Sequence, residues 1–224
     1  MLNKSTNTAI LLFSNTSQKE VKEKQIHNGQ LLFKHLHQKA LSEAQKTGLD
    51  TLVFNENNQK GKTFGERFSN AIETVFNQGY DHVITIGNDS PELNSEHILI
   101  AHENLIEHRN TLGPAFDGGV YLIGISKQQF QKDEFASLPW QTSKLLEALS
   151  TLFTKENLSP LLLTPLKDVD SKSDLFYFLN TENSVLESII LTIISVFSIP
   201  FYTECTSSEA YIKSQHNKGS PLLA

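Results

Sequence analysis

The sequence predicts an α/β protein built on a mostly parallel sheet, and three observations lead there. Short apolar runs at Thr8-Ala9-Ile10-Leu11-Leu12-Phe13-Ser14, Leu52-Val53-Phe54 and His82-Val83-Ile84-Thr85-Ile86-Gly87 are separated by longer stretches of helical spacing. That alternation, β-α-β-α-β, is the pattern of parallel strands joined by right-handed crossovers. The third run stops at Gly87 and is followed by Asn88-Asp89-Ser90-Pro91. A carboxylate therefore stands just beyond the carboxyl end of a strand, where open α/β sheets gather ligands. Finally, 224 residues fill one α/β domain, or one domain with an appended element, and fall short of two.

The elements follow in order. After the first strand, the polar residues 15–24 read as a loop feeding a helix. From Ile26 the positions Leu31, Leu32, Leu36, Ala40 and Leu41 keep helical spacing as far as Gly48. The second strand leads into a polar loop with two lysines, and Thr63-Phe64-Gly65-Glu66 has the form of a capping box. The helix it opens carries Phe68, Ala71, Ile72, Val75 and Phe76 on one face and ends near Gly79. Past the third strand, residues 91–94 open a helix through Ile98, Leu99, Ala101, Leu105 and Ile106. Thr111-Leu112-Gly113-Pro114 is a short strand, Asp117-Gly118-Gly119 a turn, and residues 120–125 the next strand. Leu138-Pro139-Trp140 is a loop before a helix over residues 141–154. Leu161-Leu162-Leu163 is a strand, and Ser171 with Asp174 fits a second capping box, opening a helix through Leu175 and Leu179.

The composition changes at Ser184. Residues 1–183 read as the main domain, and residues 184–224 as an apolar extension followed by a polar tail, of which residues 206–224 are expected to be poorly ordered. The apolar run that begins at Ile189 and ends at Phe201 is shorter than the roughly 20 residues of a membrane-spanning helix, so it predicts a buried helix or a contact between copies of the chain. No stable membrane span is expected. A hydrophobic fraction of 38% and a mean hydropathy of −0.27 describe an ordinary folded protein. A net charge of −6 without a long basic run argues against nucleic acid as a partner. The single cysteine, Cys205, excludes an intramolecular disulfide and any multi-cysteine zinc site, and with a start that does not resemble a secretory signal it predicts the cytoplasm.

The chemistry concentrates in two turns at strand ends. Asp89 is suited to a divalent cation, its plainer reading being an N-cap ahead of Pro91. Asp117 precedes two glycines that let a bulky ligand approach the backbone, and its plainer reading is a turn. Lys22, Lys24 and Arg67 are the cations that could face phosphates, with Arg67 offering a bidentate fork or, more simply, a surface or packing ion pair. Trp140 suits base stacking or a core anchor. Asp168 and Asp170 read as cap and loop-closing residues before they read as further metal ligands, and His35 and His37, two apart on a helix, point to different faces.

Together, Gly65-Glu66-Arg67, Ile86-Gly87-Asn88-Asp89-Ser90-Pro91, Leu112-Gly113-Pro114-Ala115-Phe116-Asp117-Gly118-Gly119-Val120-Tyr121-Leu122-Ile123-Gly124, Pro139-Trp140 and Asp168-Val169-Asp170 resemble the DUF2064 family of bacterial GT-A-type proteins. That family is similar, more distantly, to molybdenum-cofactor guanylyltransferases and to the guanylyltransferase of coenzyme F420 synthesis. The resemblance runs from about Thr8 to Leu179. It implies a GT-A-like, nucleotide-diphospho-sugar transferase sandwich of three α/β/α layers, with a nucleotide or nucleotide sugar as ligand and Mg²⁺ or Mn²⁺ as cofactor. By position it places the metal carboxylate at Asp89 and Asp117, Gly118 and Gly119 in the substrate-side loop, with Asp117 as the catalytic candidate. Lys22, Lys24, Arg67, Gly118, Gly119 and Trp140 make up the nucleotide or substrate side.

The family's first loop holds glycine and proline before a Lys-x-Arg-Leu run, whereas residues 14–25 here contain no glycine. Lys22 stands at the family lysine and Lys24 at the arginine. The expected function is metal-assisted glycosyl or nucleotidyl transfer from a nucleotide-activated donor, glycosyl transfer being preferred. The alternative is a catalytically degenerate nucleotide-binding or assembly module.

Overall fold

The computed structural model describes residues 7–154, 158–180 and 184–198. In chain order the elements are β1 (Thr8–Phe13), α1 (Ser17–Glu23), α2 (Gln30–Lys46), β2 (Asp50–Phe54), α3 (Phe64–Asn77), β3 (His82–Ile86), α4 (Ser95–Ile106), β4 (Thr111–Pro114), β5 (Val120–Ser126), α5 (Lys132–Ala136), α6 (Leu145–Phe153), β6 (Leu161–Leu162), α7 (Lys172–Tyr177) and α8 (Ser184–Ser198). The strands form one sheet in the order β2-β1-β3-β5-β4-β6. β1 pairs in parallel with β2 and β3, β4 pairs in parallel with β6, and β5 runs antiparallel between β3 and β4. The sheet is thus mixed and mostly parallel, as expected.

Alternation along β1 shows why helices cover both faces. Ala9 and Leu11 pack with α3, α5 and α6 through Phe68, Ala71, Ile72, Val75, Phe135, Leu145 and Leu149. Ile10 and Leu12 point the other way, toward Ala40 and Ala44 of α2 and Ile98, Ala101 and Leu105 of α4. All four β1 residues have no exposed surface, so the strand is buried on both sides. The chain leaves β1 toward β2 on one side and returns to β3 on the other. The reversal places the topological switch point at the carboxyl ends of β1 and β3.

Both expected capping boxes are present, Thr63 with Glu66 and Ser171 with Asp174. Three local expectations are corrected. Residues 15–24, read as a loop, contain α1, and α2 starts at Gln30 rather than Ile26 because Gln25 and Asn28 take left-handed backbone angles of 53° and 60° between the two helices. The helix expected from residue 141 begins at Leu145, since the backbone at Gln141 is left-handed with φ 61°. α5 had no counterpart in the sequence reading: it is a five-residue turn whose Phe135 is fully buried, and so short a helix leaves no readable period.

The extension continues as α8, whose Leu186, Ile190 and Ile193 pack with Leu32, Phe33 and Leu36 of α2 and with Val169, Leu175 and Phe178. One face of the apolar run is therefore buried, while Leu191 is exposed. Among the described residues no helix is long and apolar enough to cross a membrane. Residues 199–201, the rest of the tail and Cys205 lie outside the described residues.

Candidate functional site

A cleft of about 700 Å³ opens at the switch point, lined by the ends of β1 and β3, the start of β5, α1, α3 and the segments around Trp140 and Asp168. Of the residues singled out from sequence, Lys24, Arg67, Asp89, Asp117, Gly119 and Trp140 line it, whereas Lys22 and Gly118 do not. Lys22 sits exposed on α1. Gly118 has φ +90°, and a Cβ there would lie 2.4 Å from the Ser143 carbonyl oxygen, so glycine lets the turn close against residues 142–146. The Gly118 carbonyl accepts from the Leu146 amide at 3.1 Å. The turn reading of Asp117 also holds, because the Gly119 amide donates to its carboxylate at 2.8 Å.

One wall of the cleft is acidic. Asp89 does not cap the next helix, since that N-cap is Asn94, in a box with His97. Instead its carboxylate lies 2.9 Å from the Lys24 ammonium, which also meets Asp170 at 3.1 Å, Glu20 at 3.6 Å and the Val169 carbonyl at 2.7 Å. Lys24 is thus placed in the cleft, at the centre of three carboxylates. Burial alone would lower its proton affinity, but Asp89, Glu20 and Asp170 outweigh that and raise it. The chain supports this arrangement in two ways. Val169 is fully buried, so the acids on either side of it line the cleft. Its amide donates to the Asp89 carbonyl at 2.9 Å, fastening the two acidic loops together.

This wall remains short of positive charge. The Asp168 carboxyl, half-buried near Asp89, is pushed up to about 8 by desolvation first and then by Asp89, although the Ser90 hydroxyl donates to it. Asp170, although its side chain is half exposed, is raised too, by partial desolvation first and by Asp89, with Lys24 opposing. Burial likewise raises Glu20, against Lys24. Sequence reasoning missed Glu20 and ranked Asp168 and Asp170 low. The available signals were the i, i+4 spacing of Glu20 and Lys24 and the acid-apolar-acid alternation around Val169.

The opposite wall is aromatic. Phe13, Phe64, Phe68 and Trp140 form a connected cluster, with ring centroids 4.8 Å apart for Phe13 and Phe68, 5.0 Å for Phe68 and Trp140 and 5.5 Å for Phe64 and Trp140. The Trp140 indole N–H donates to the Phe135 carbonyl at 2.8 Å, so Trp140 is a core anchor that also faces the cleft. Arg67 lies 6.0 Å over the Phe64 ring, and among the described residues no carboxylate pairs with it. The ion-pair reading of Arg67 is therefore corrected.

Among the described residues no three His, Cys, Asp or Glu side chains converge closely enough to hold a metal ion by themselves. The acidic wall nonetheless fits a hard divalent cation of the kind that takes one or two carboxylates and completes its shell with substrate phosphates and water. Its donors are oxygens, and a single ammonium, Lys24, faces the carboxylates of Glu20, Asp89 and Asp170 there.

The same architecture occurs in a protein from Desulfovibrio desulfuricans G20 described provisionally as a nucleotide-diphospho-sugar transferase, with a TM-score of 0.72 and 24% identity over 86% of this chain and 99% of that one. More distant likenesses, too remote to inform the site, are Rv0371c from Mycobacterium tuberculosis H37Rv in complex with manganese and CMP-2-keto-3-deoxy-manno-octonic acid synthetase complexed with CTP. The first has a TM-score of 0.42 at 14% identity, covering 79% of this chain and 100% of that one. The second has 0.41 at 10%, covering 85% and 99%. The fold is that of GT-A-like nucleotide-diphospho-sugar transferases. No curated protein matches the chain. The family described as an uncharacterised protein conserved in bacteria, DUF2064, matches residues 17–142, more than half of the chain, and the protein belongs to that family.

Proposed function

We propose that the protein is a cytoplasmic transferase that moves a glycosyl or nucleotidyl group from a nucleotide-activated donor, with Mg²⁺ or Mn²⁺ as cofactor. The observation that carries this reading is the cleft at the switch point, where a cluster of carboxylates short of positive charge faces an aromatic wall. Asp89 and Asp168 are the residues that would hold the cation. When bound, it neutralises charge developing on the departing phosphate of the donor. Lys24 keeps Asp89 and Asp170 together and limits their repulsion. Asp117, fixed by the Gly119 amide, takes the proton of the acceptor hydroxyl as that oxygen bonds to the transferred group, and the bonding electrons leave with a nucleoside diphosphate in glycosyl transfer or with pyrophosphate in nucleotidyl transfer. The aromatic wall excludes water and offers ring faces to the base.

Calorimetric titration with nucleoside di- and triphosphates and nucleotide sugars, with and without Mn²⁺, tests the proposal. Metal should strengthen binding, and Asp89→Asn should abolish that metal-dependent gain. Nucleotide binding indifferent to both would favour the non-catalytic alternative. One observation speaks for that rival: the Lys24 ammonium, the cation placed deepest among the acids, is already engaged by three carboxylates and a carbonyl.

A further inference from the structure

Among the described residues, Arg67 differs from the other cations of the cleft, Lys19 and Lys24, in having no counter-ion. Its acidic chain neighbour, Glu66, is committed elsewhere: its carboxylate accepts from the Lys62 amide at 2.6 Å and from the Thr63 amide at 3.3 Å, closing the capping box of α3. The residues three and four positions away on the helix are Thr63, Phe64, Asn70 and Ala71, none of them acidic. Glu73 pairs with Lys132, and Glu56 accepts from the Thr16 amide at 2.7 Å. Among the described residues the Arg67 guanidinium donates only a long 3.4 Å bond, to the Lys62 carbonyl, and its buried Nε has no hydrogen-bond partner. A charged fork left in this state is incompletely satisfied, and a planar oxyanion would complete it.

The acidic wall does not supply that partner. Among the described residues its carboxylates at Glu20, Asp89 and Asp170 pair with Lys24, and none of them pairs with Arg67. We propose that Arg67 is a metal-independent anion subsite, taking a phosphate or carboxylate group of the ligand other than the one served at Asp89. This rests on the cleft being the ligand site and narrows its substrate class to molecules with two separated anionic groups. Phe64, beneath the guanidinium, holds the fork in place.

The chain has two arginines, Arg67 and Arg109, so its Nε–Hε spectrum contains two resonances. Arg109 Nε already donates to the Ser159 carbonyl at 3.1 Å and serves as an internal control. The full-length protein in EDTA is titrated with inorganic pyrophosphate and, separately, malonate. Saturable movement of the Arg67 resonance alone, preserved in Asp89→Asn, is expected, and calorimetry in EDTA should show pyrophosphate affinity at least about tenfold weaker in Arg67→Lys. Response to pyrophosphate but not malonate assigns the group as phosphate, and response to malonate admits a carboxylate. An Arg67 resonance that does not move, or that moves together with Arg109 without saturating, overturns the subsite. Arg109→Lys assigns the peaks by elimination if Arg67→Lys does not fold. Because metal is absent, loss of metal-dependent nucleotide binding would strike the transferase reading and leave this result standing.

Discussion

The two walls of the cleft are held in place by opposite physics. The aromatic wall is an outgrowth of the core: Phe68 is buried and touches Phe13, Phe64, Phe135 and Trp140, so the surface offered to a ligand is also what stabilises the fold. The acidic wall consists of like charges brought together around one ammonium, an arrangement that opposes folding wherever compensation is incomplete. The contrast teaches that one wall is shaped by stability and the other is tolerated despite it, and residues tolerated against stability are better guides to function.

The comparison breaks most visibly at Phe68. Phe68→Ala should lower unfolding free energy by about 3–5 kcal/mol, the range for emptying a buried aromatic site. Denaturant unfolding measures it. A loss below about 1 kcal/mol would mean that the aromatic wall is a ligand platform independent of the core.

Lys24→Met comes next. Removing the ammonium leaves Asp89, Asp170 and Glu20 facing one another, and a buried pair broken on one side typically loses about 3–5 kcal/mol. Asp89 and Asp170 retain side-chain exposures of 32% and 53%, so solvent screening reduces the expectation to about 2–3 kcal/mol at pH 7. Much of it should return at pH 4, because Glu20 and Asp170 are raised above the ordinary carboxylate range and take up protons there first, and saturating Mn²⁺ should recover part of it if a cation can replace the lysine. A loss that is the same at both pH values would show Lys24 to be only a packing residue against Phe33.

The different origins of the walls also explain what the sequence made legible. The parallel β2-β1-β3 unit, Asp89 beyond its strand, both capping boxes and the 117–119 turn follow from local pattern, since strands, caps and turns are written in contiguous residues. α1 was missed because its stripe is polar outside Val21, and only the third dimension shows that Glu20 is buried beneath Lys24. The positions of β5, antiparallel between β3 and β4, and of Asp168 beside Ser90, 78 residues away, are long-range facts without a local signature. Arg67 was legible as a cation, but its lack of a partner depends on where Glu66, Glu56 and Glu73 were drawn by other bonds.

A smaller effect is the pH dependence set by Asp168. Burial, then Asp89, hold its carboxyl up at about 8 against 3.8 in the unfolded chain, so the folded state binds the extra proton between those values. Its stabilising contribution is complete below the unfolded value and declines as pH rises toward 8, at up to about 1.4 kcal/mol per pH unit. His35, His37, His82 and His97 are held below 6.5 chiefly by burial and act in the opposite sense as pH rises to that value. The clean window is therefore pH 6.5–8, and the informative quantity is wild type minus Asp168→Asn. That difference should fall with pH in the window, and a flat difference would place the uncompensated charge elsewhere.

The smallest expected change sharpens the comparison most. Thr63→Ala removes the hydroxyl that accepts from the Glu66 amide at 3.1 Å and should lower stability by about 1 kcal/mol, an ordinary cap loss. Glu66 is bound to the Lys62 and Thr63 amides from the other half of the box, and a loosened first turn gives its carboxylate access to the neighbouring guanidinium. Anion affinity at Arg67 should then fall by more than the stability loss alone would produce, because the cap is what keeps the nearest acid away from the arginine. Lys24, whose partners Glu20, Asp89, Val169 and Asp170 all lie outside α3, should lose the same stability on Lys24→Met in the Thr63→Ala background as in wild type. A Thr63→Ala protein that loses stability but binds pyrophosphate like wild type would show that the separation of Glu66 from Arg67 is set by α3 itself rather than by its cap.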